Sequence, residues 1–209
     1  MAKLALEDAP KKVRDLFDKG FAAMERDNLD YAIDMFMAAL DAEPRLFQAR
    51  KFLRAAEVKK FKKSGGGAIQ HFASTLAGLP GLIAGYMQLK KKPEQALRTA
   101  EKLLRSDPLN LTFIDFADKA AMAAGLPEVS VLNLEVAREA YPENNTVLRR
   151  LGDLYVSTEQ HHEARQCFEE LVHRLPNDQS AIKALKDAAA LDTMQKGGWA
   201  EAESFRDII

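Results

Sequence analysis

A glycine, an alanine twelve residues on and a phenylalanine four further occur twice in this chain, as Gly20, Ala32, Phe36 and as Gly152, Ala164, Phe168. Prolines mark a related beat, since Pro108, Pro142 and Pro176 stand 34 residues apart. Around the second trio, Leu148, Leu151 and Tyr155 recur at intervals of three and four, which gathers them on one face of a helix. Phe168 and Leu171 do the same for a second helix, with a polar turn from Ser157 to His161 between them. Small residues where the two helices cross let the axes approach to about 8–10 Å, a distance that larger side chains would open. Pro176 ends the second helix, because proline has no N–H to give the preceding turn. Such a sequence is constrained to helical hairpins, each burying its apolar face against the next.

The pattern can be followed along the chain. Val13 to Pro44 carries Leu16, Gly20, Ala32, Phe36, Ala39 and Pro44, with Asp27 and Asn28 in the turn. A helix from about Leu29 places Ile33, Phe36, Met37 and Leu40 on its apolar face. The run Arg45 to Lys63 reads as an amphipathic helix with Phe47, Leu53, Ala56 and Val58, ended by Ser64-Gly65-Gly66-Gly67. A helix from Ala68 through Ile69, Phe72 and Leu76 is expected to break at Gly78-Leu79-Pro80. Pro80 is then expected to open the next hairpin, with Leu82, Ile83, Gly85 and Tyr86, a turn at Lys90 to Pro93, and Ala96, Ala100, Leu103 and Leu104. The unit before Pro142 keeps the period but has Asp118 in place of the glycine, and turns at Gly125-Leu126-Pro127. Beyond Pro176, Asp178 or Ser180 is placed to cap a helix. Gly197-Gly198-Trp199 reads as a turn into a short further helix that runs to Ile209.

These residues and their spacing resemble the tetratricopeptide repeat, whose pattern is W-x2-L-G-x2-Y, then A-x3-F, then P. Leu148 stands where that family usually has tryptophan. The resemblance implies an all-α fold, a right-handed α-solenoid of antiparallel helix pairs. It implies one domain over 1–209, with repeats at about 13–44, 45–79 (degenerate), 80–108, 111–142, 145–176 and a terminal partial repeat at 179–209. The other reading of that last stretch is part of a longer array. It also implies a groove lined from the second, fifth, ninth and twelfth positions of the first helices. Those positions are Arg14, Phe17, Phe21 and Met24, then Thr112, Asp115, Lys119 and Met122, then Thr146, Arg149, Asp153 and Val156. The family's clamp for acidic peptide tails uses a lysine and an asparagine where this chain has Phe17 and Phe21, which argues against that ligand.

The functional expectation is a non-catalytic scaffold or adaptor that holds a peptide or partner helix through Phe17, Phe21, Met24, Lys119, Arg149 and Asp153. A packing role for the aromatics against the neighbouring unit is the plainer reading. The alternative function is a membrane-surface adaptor using the basic helix 45–63 and the segment 65–89, which holds no acid, lysine or arginine and is bracketed by lysines. Its glycine-broken halves are too short to span a bilayer, and a buried helix pair is the preferred account of it. Homo-oligomerisation through the open ends of the array is a further possibility.

Composition narrows the field. The formal net charge of −1 offers no general attraction to nucleic acid, and no nucleic-acid partner is expected. The single cysteine, Cys167, cannot form an internal disulfide, which fits a reducing compartment. The amino terminus has early acidic residues and no long apolar run, so it does not read as a secretory signal, and a cytoplasmic location is expected. His161 and His162 are adjacent in a turn and make a poor metal pair. Ser64 to Gly67 lacks the lysine and hydroxyl register of a phosphate loop. No nucleophile stands with a base, so no catalytic residue, metal or cofactor is expected.

Overall fold

The computed structural model describes residues 4–206, and the side chains of residues 4–197. Among the described residues the fold is all-α. Its helices are α1 (Lys11–Glu25), α2 (Leu29–Ala42), α3 (Phe47–Lys63), α4 (Ala68–Gln88), α5 (Pro93–Ser106), α6 (Leu111–Ala123), α7 (Pro127–Ala140), α8 (Asn145–Ser157), α9 (His161–Arg174) and α10 (Gln179–Arg206). The chain divides into two compact units, Met1–Ala137 and Arg138–Ile209.

In the first unit, α1 and α2 form a hairpin whose crossing is set by Gly20. A Cβ there would come within 2.7 Å of the Phe36 ring, so only glycine admits this approach. Ala32 and Phe36 are fully buried beside it. Asn28 starts α2 by accepting from the Tyr31 N–H, and Asp27 turns the chain with a φ of 60°. Gly125 stands at φ 71° in the turn between α6 and α7, and in the second unit Glu159 stands at φ 61° between α8 and α9. Each of the three lies seven residues beyond Gly20, Asp118 or Gly152. A left-handed residue therefore recurs at one position of the hairpin, a regularity that the sequence hides behind Asp, Gly and Glu.

Asp118 itself occupies the small-residue position of the α6–α7 hairpin, and Ser130, twelve residues on, occupies the alanine position. Both are buried, and the Ser130 hydroxyl donates to the Asp118 carboxylate. A hydrogen-bonded polar pair thus replaces glycine against alanine.

The α4–α5 hairpin departs further. The residue corresponding to Phe36 and Phe168 is Glu101, a buried carboxylate. Two arginines of α3 meet it: Arg50 Nε donates to Oε1 at 2.7 Å and Arg54 Nη2 to Oε2 at 2.8 Å. Arg54 also donates to Glu57 and, at 3.1 Å, to Asn133 of α7. The basic helix of the sequence reading is corrected here, because Arg50 and Arg54 lie in the core. Lys59 and Lys63 pair with Asp27, and Lys60 with Asp30, in the α1–α2 hairpin. Most of that helix's charge is neutralised within the unit.

Burial pushes the Glu57 carboxyl up to about 8 despite Arg54, and its Oε1 is buried without a hydrogen-bond partner. Between the ordinary carboxylate value of 4.5 and about 8, the folded state holds a proton there that the unfolded chain has lost. The resulting stabilisation is fully present below the lower value and falls as pH rises through the upper one, by at most about 1.4 kcal/mol per pH unit. Glu57→Gln, which has no proton to lose, is expected to be progressively more stable than wild type from pH 5 to pH 8 in urea denaturation. A wild-type-to-variant difference that stays flat with pH would contradict this.

The helix α4 corrects a second expectation, for it runs unbroken through Gly78, Leu79 and Pro80. Its glycines serve approach instead of interruption. A Cβ on Gly78 would meet Phe113 at 2.6 Å, and one on Gly85 would meet Phe116 at 2.3 Å. Pro80 is exposed, as is Leu76 one turn back, so the carbonyl that loses its helical donor is on the side open to water.

In the second unit, α8 and α9 form the hairpin that the sequence marks best. A Cβ on Gly152 would lie 2.8 Å from Phe168 Cζ, and Leu148, Leu151, Tyr155, Ala164, Cys167, Phe168 and Leu171 are buried around that crossing. Asn144 caps α8 through Thr146 and Val147. Asp178 caps α10 through Ser180 and Ala181. The turn expected at Gly197-Gly198 is absent, since α10 continues helically across it. The expected roles of Trp199 to Ile209 lie outside the described side chains.

Candidate functional site

The six groove residues expected from the repeat pattern fall into different environments. Phe17 is only 5% exposed and packs with Phe36 and Phe52, ring centroids 5.7 and 5.6 Å away. It is part of the core. Phe21, one turn later, is 39% exposed, stacks on Phe17 and sets its ring edge-on to Phe52 at 5.3 Å. Met24 is partly buried against the same cluster. Phe21, Met24 and Phe52 therefore form an apolar edge along α1 and α3, with Phe17 and Phe36 as its backing.

Lys119 lies on α6 in the same unit. Its ammonium pairs with Asp115 at 2.6 Å and stands 5.5 Å from the centre of the Tyr86 ring on α4. Tyr86 Oη donates to Asp115 at 3.2 Å. The hydrogen bond it donates to Asp115 holds the Lys119 ammonium above its usual range, so it stays cationic at any physiological pH. Met122 follows on the same helix and is also exposed. This cluster presents an aromatic face, a fixed cation and a thioether side by side.

The remaining two residues belong to the second unit. Arg149 gives Nη2 to Asp178 at 2.5 Å and Nη1 to Ser180 at 3.0 Å, which ties α8 to the start of α10. Asp153, one turn on, is exposed. Also in this unit, Arg165, His162 and Lys196 surround the buried carboxylate of Asp192. Among the described residues, no group of three or more His, Cys, Asp or Glu side chains could hold a metal ion.

One surface was not legible as such in the sequence. The inner side of α4 carries its polar residues: His71 Nδ1 and Ser74 Oγ meet Asp107 Oδ2 at 2.7 and 2.6 Å, and Asn110 donates to Thr75 at 2.7 Å. The outer side is apolar along its whole length, with Ile69 87%, Phe72 73%, Leu76 60%, Ile83 63% and Met87 77% exposed. The signal was present in Gln70, His71, Ser74 and Thr75, whose helical spacing puts them on one side. Reading Pro80 as a helix break divided the pattern in two. No helix among the described residues is long and apolar enough to cross a membrane.

Hairpins with a glycine seated under a phenylalanine sixteen residues later, as at Gly20 and Gly152, make this a protein of tetratricopeptide-like helix pairs. No family model matches the sequence, and no curated protein matches it either. Among solved structures, the chain is similar to the MamA protein, at 14% identity and a TM-score of 0.45, over 92% of this chain and 89% of that one. It is also similar to a thermophilic TPR protein of Thermus thermophilus, TTC0263, at 17% identity and a TM-score of 0.42, over 85% and 99% of the two chains. A tetratricopeptide repeat protein from Parabacteroides merdae aligns at 15% identity and a TM-score of 0.30, over 93% and 79%.

Proposed function

We propose that this protein is a non-catalytic interaction scaffold whose first unit holds an apolar peptide or a partner helix against the first helices of its hairpins. The observation that carries this reading is the Tyr86, Asp115 and Lys119 cluster. An aromatic ring and a charged lysine are held beside each other by hydrogen bonds to the same Asp115 carboxylate, although neither is needed to fill the core. An apolar side chain would lie on Tyr86 and Met122, and a carboxylate one helical turn away would meet Lys119. Phe21, Met24 and Phe52 offer a second apolar edge in the same unit. The proposal leaves Phe17 to the core and Arg149 to its pairing with Asp178, and keeps Asp153 as an exposed carboxylate of the second unit.

The test is selection from a displayed peptide library on the immobilised protein. Recovered peptides are expected to carry apolar residues at spacings of three and four with a nearby acid. Tyr86→Ala combined with Lys119→Glu is expected to weaken them by about 10-fold or more, the loss of one desolvated ion pair and its stacking partner. Failure to recover any peptide, or recovered peptides indifferent to that double change, would remove the basis for the reading.

A further inference from the structure

The outer face of α4 goes beyond the peptide-binding reading, since it lies on other residues and raises a different question. A water-facing helix normally turns its polar side outward. Here the arrangement is reversed. His71, Ser74 and Thr75 point into the protein and are held by Asp107 and Asn110, while every exposed position from Ala68 to Met87 other than Tyr86, whose hydroxyl is bonded to Asp115, is apolar. The large residues Ile69, Phe72, Leu76, Leu79, Ile83 and Met87 follow one another at intervals of three and four, so they form one continuous stripe. Beside it run Ala73, Ala77 and Ala84, small enough to let a second helix approach closely.

From this face we infer that two copies of the chain associate through α4 against α4, antiparallel about a two-fold axis near Gly78. Area is the first argument. At about 200 Å² for each large side chain, the six exposures amount to roughly 800 Å², above the about 300–600 Å² patch of an ordinary monomer. They match the about 800 Å² that each partner brings to a standard interface. Shape and charge supply the second. The face bears no charge between Gly65 and Leu89, so it complements itself, and an isologous pairing requires that one patch fit its own copy.

The helix ends choose the direction. Lys90, Lys91 and Lys92 are all exposed. A parallel pairing would bring six lysines together, whereas an antiparallel one sets each trio opposite the small, uncharged Ser64-Gly65-Gly66-Gly67 turn of the other copy. In that register Ile69 faces the region of Met87, and Phe72 that of Ile83. A lipid surface fits less well. Interfacial helices carry lysine and arginine along their polar edge, while the polar edge of α4 is uncharged and turned into the protein. Of the lysines that precede α4, Lys59, Lys60 and Lys63 are already paired with Asp27 and Asp30, and the exposed Lys62 and Lys90 to Lys92 stand before and after the helix, not along it.

Sedimentation equilibrium of the full chain between micromolar and 100 micromolar concentrations tests the pairing. Wild type is expected to be dimeric at the upper end. Phe72→Glu with Ile83→Glu is expected to raise the dissociation constant by more than about 100-fold, because four carboxylates would enter an apolar seam. Both positions are exposed, so the helical circular dichroism should be unchanged. Direction is tested in a Cys167→Ala background with a short bismaleimide: copies carrying Ile69→Cys should cross-link to copies carrying Met87→Cys and not to one another. A monomeric wild type would overturn the inference, and flotation of that monomer with phosphatidylserine vesicles would assign the face to lipid. A dimer indifferent to the double glutamate change would place the contact elsewhere and equally overturn it. Peptide selection on the Phe72→Glu, Ile83→Glu variant tells the two readings apart, since groove binding should survive there.

Discussion

Replacing Arg54 by methionine is expected to destabilise the first unit by about 3–5 kcal/mol, the loss seen when one partner of a buried ion pair is removed. The guanidinium is 1% exposed and serves three acceptors: Glu57, Glu101 and Asn133. Burial pushes the Glu101 carboxyl up, yet Arg54 and Arg50 together hold it below its ordinary value. Without Arg54, Glu101 keeps only Arg50, and Glu57 keeps no hydrogen bond from an arginine. Removing the charges together should be far milder, because well-packed apolar residues can replace a buried ionic cluster at little loss. Arg50→Met, Arg54→Met, Glu57→Leu and Glu101→Met combined are therefore expected to regain most of the stability that Arg54→Met alone gives up. Guanidinium denaturation with hydrogen exchange over residues 4–137 reads both. A loss below about 1 kcal/mol for the single change, the level of an exposed pair, would show that the arginine is not balancing the acids.

Phe168→Ala should have a comparable effect in the second unit, about 3–5 kcal/mol for emptying a buried aromatic position. The ring is 1% exposed and fills the space over Gly152. That geometry makes a sharper claim than the size of the loss. Gly152→Ala on its own should be destabilising, since its Cβ would sit 2.8 Å from Phe168 Cζ. In the Phe168→Ala background the same methyl group enters the vacated space, so the two losses should fall short of additive by about 1 kcal/mol or more. Hydrogen exchange over residues 138–206 is the appropriate measurement. Strict additivity would mean that the glycine is not placed for that ring.

What could be read from the sequence depended on whether one residue could serve only one purpose. Gly20 and Gly152 sit under phenylalanines, and their spacing to Ala32, Phe36, Ala164 and Phe168 announced the hairpins correctly. Polar residues in core positions gave no such announcement. Asp118 and Ser130 satisfy each other across twelve residues, and Glu101 takes an aromatic's place only because Arg50 and Arg54 reach it from another helix. Phe17 and Phe21 illustrate the same limit on the apolar side. They are four residues apart with identical chemistry, yet one is buried and the other open: Phe52 packs on both, and Phe17 has the Phe36 ring against it as well. Pro80, which signals a break in the sequence, is accommodated inside α4, where the carbonyl it leaves without a donor lies on the side open to water.

The reach of Arg50 and Arg54 also bears on how the first unit comes apart. In a simple array each hairpin touches only its neighbours, and melting can start at an end and advance step by step. Here α3 is bonded to α5 and α7 across 51 and 79 residues of sequence. Forming those bonds requires closing long loops, whose entropic cost must be met before the contacts reward it. Residues between Arg50 and Asn133 should consequently lose and regain structure in a single concerted event, with no stable state in which the middle helices have peeled away alone.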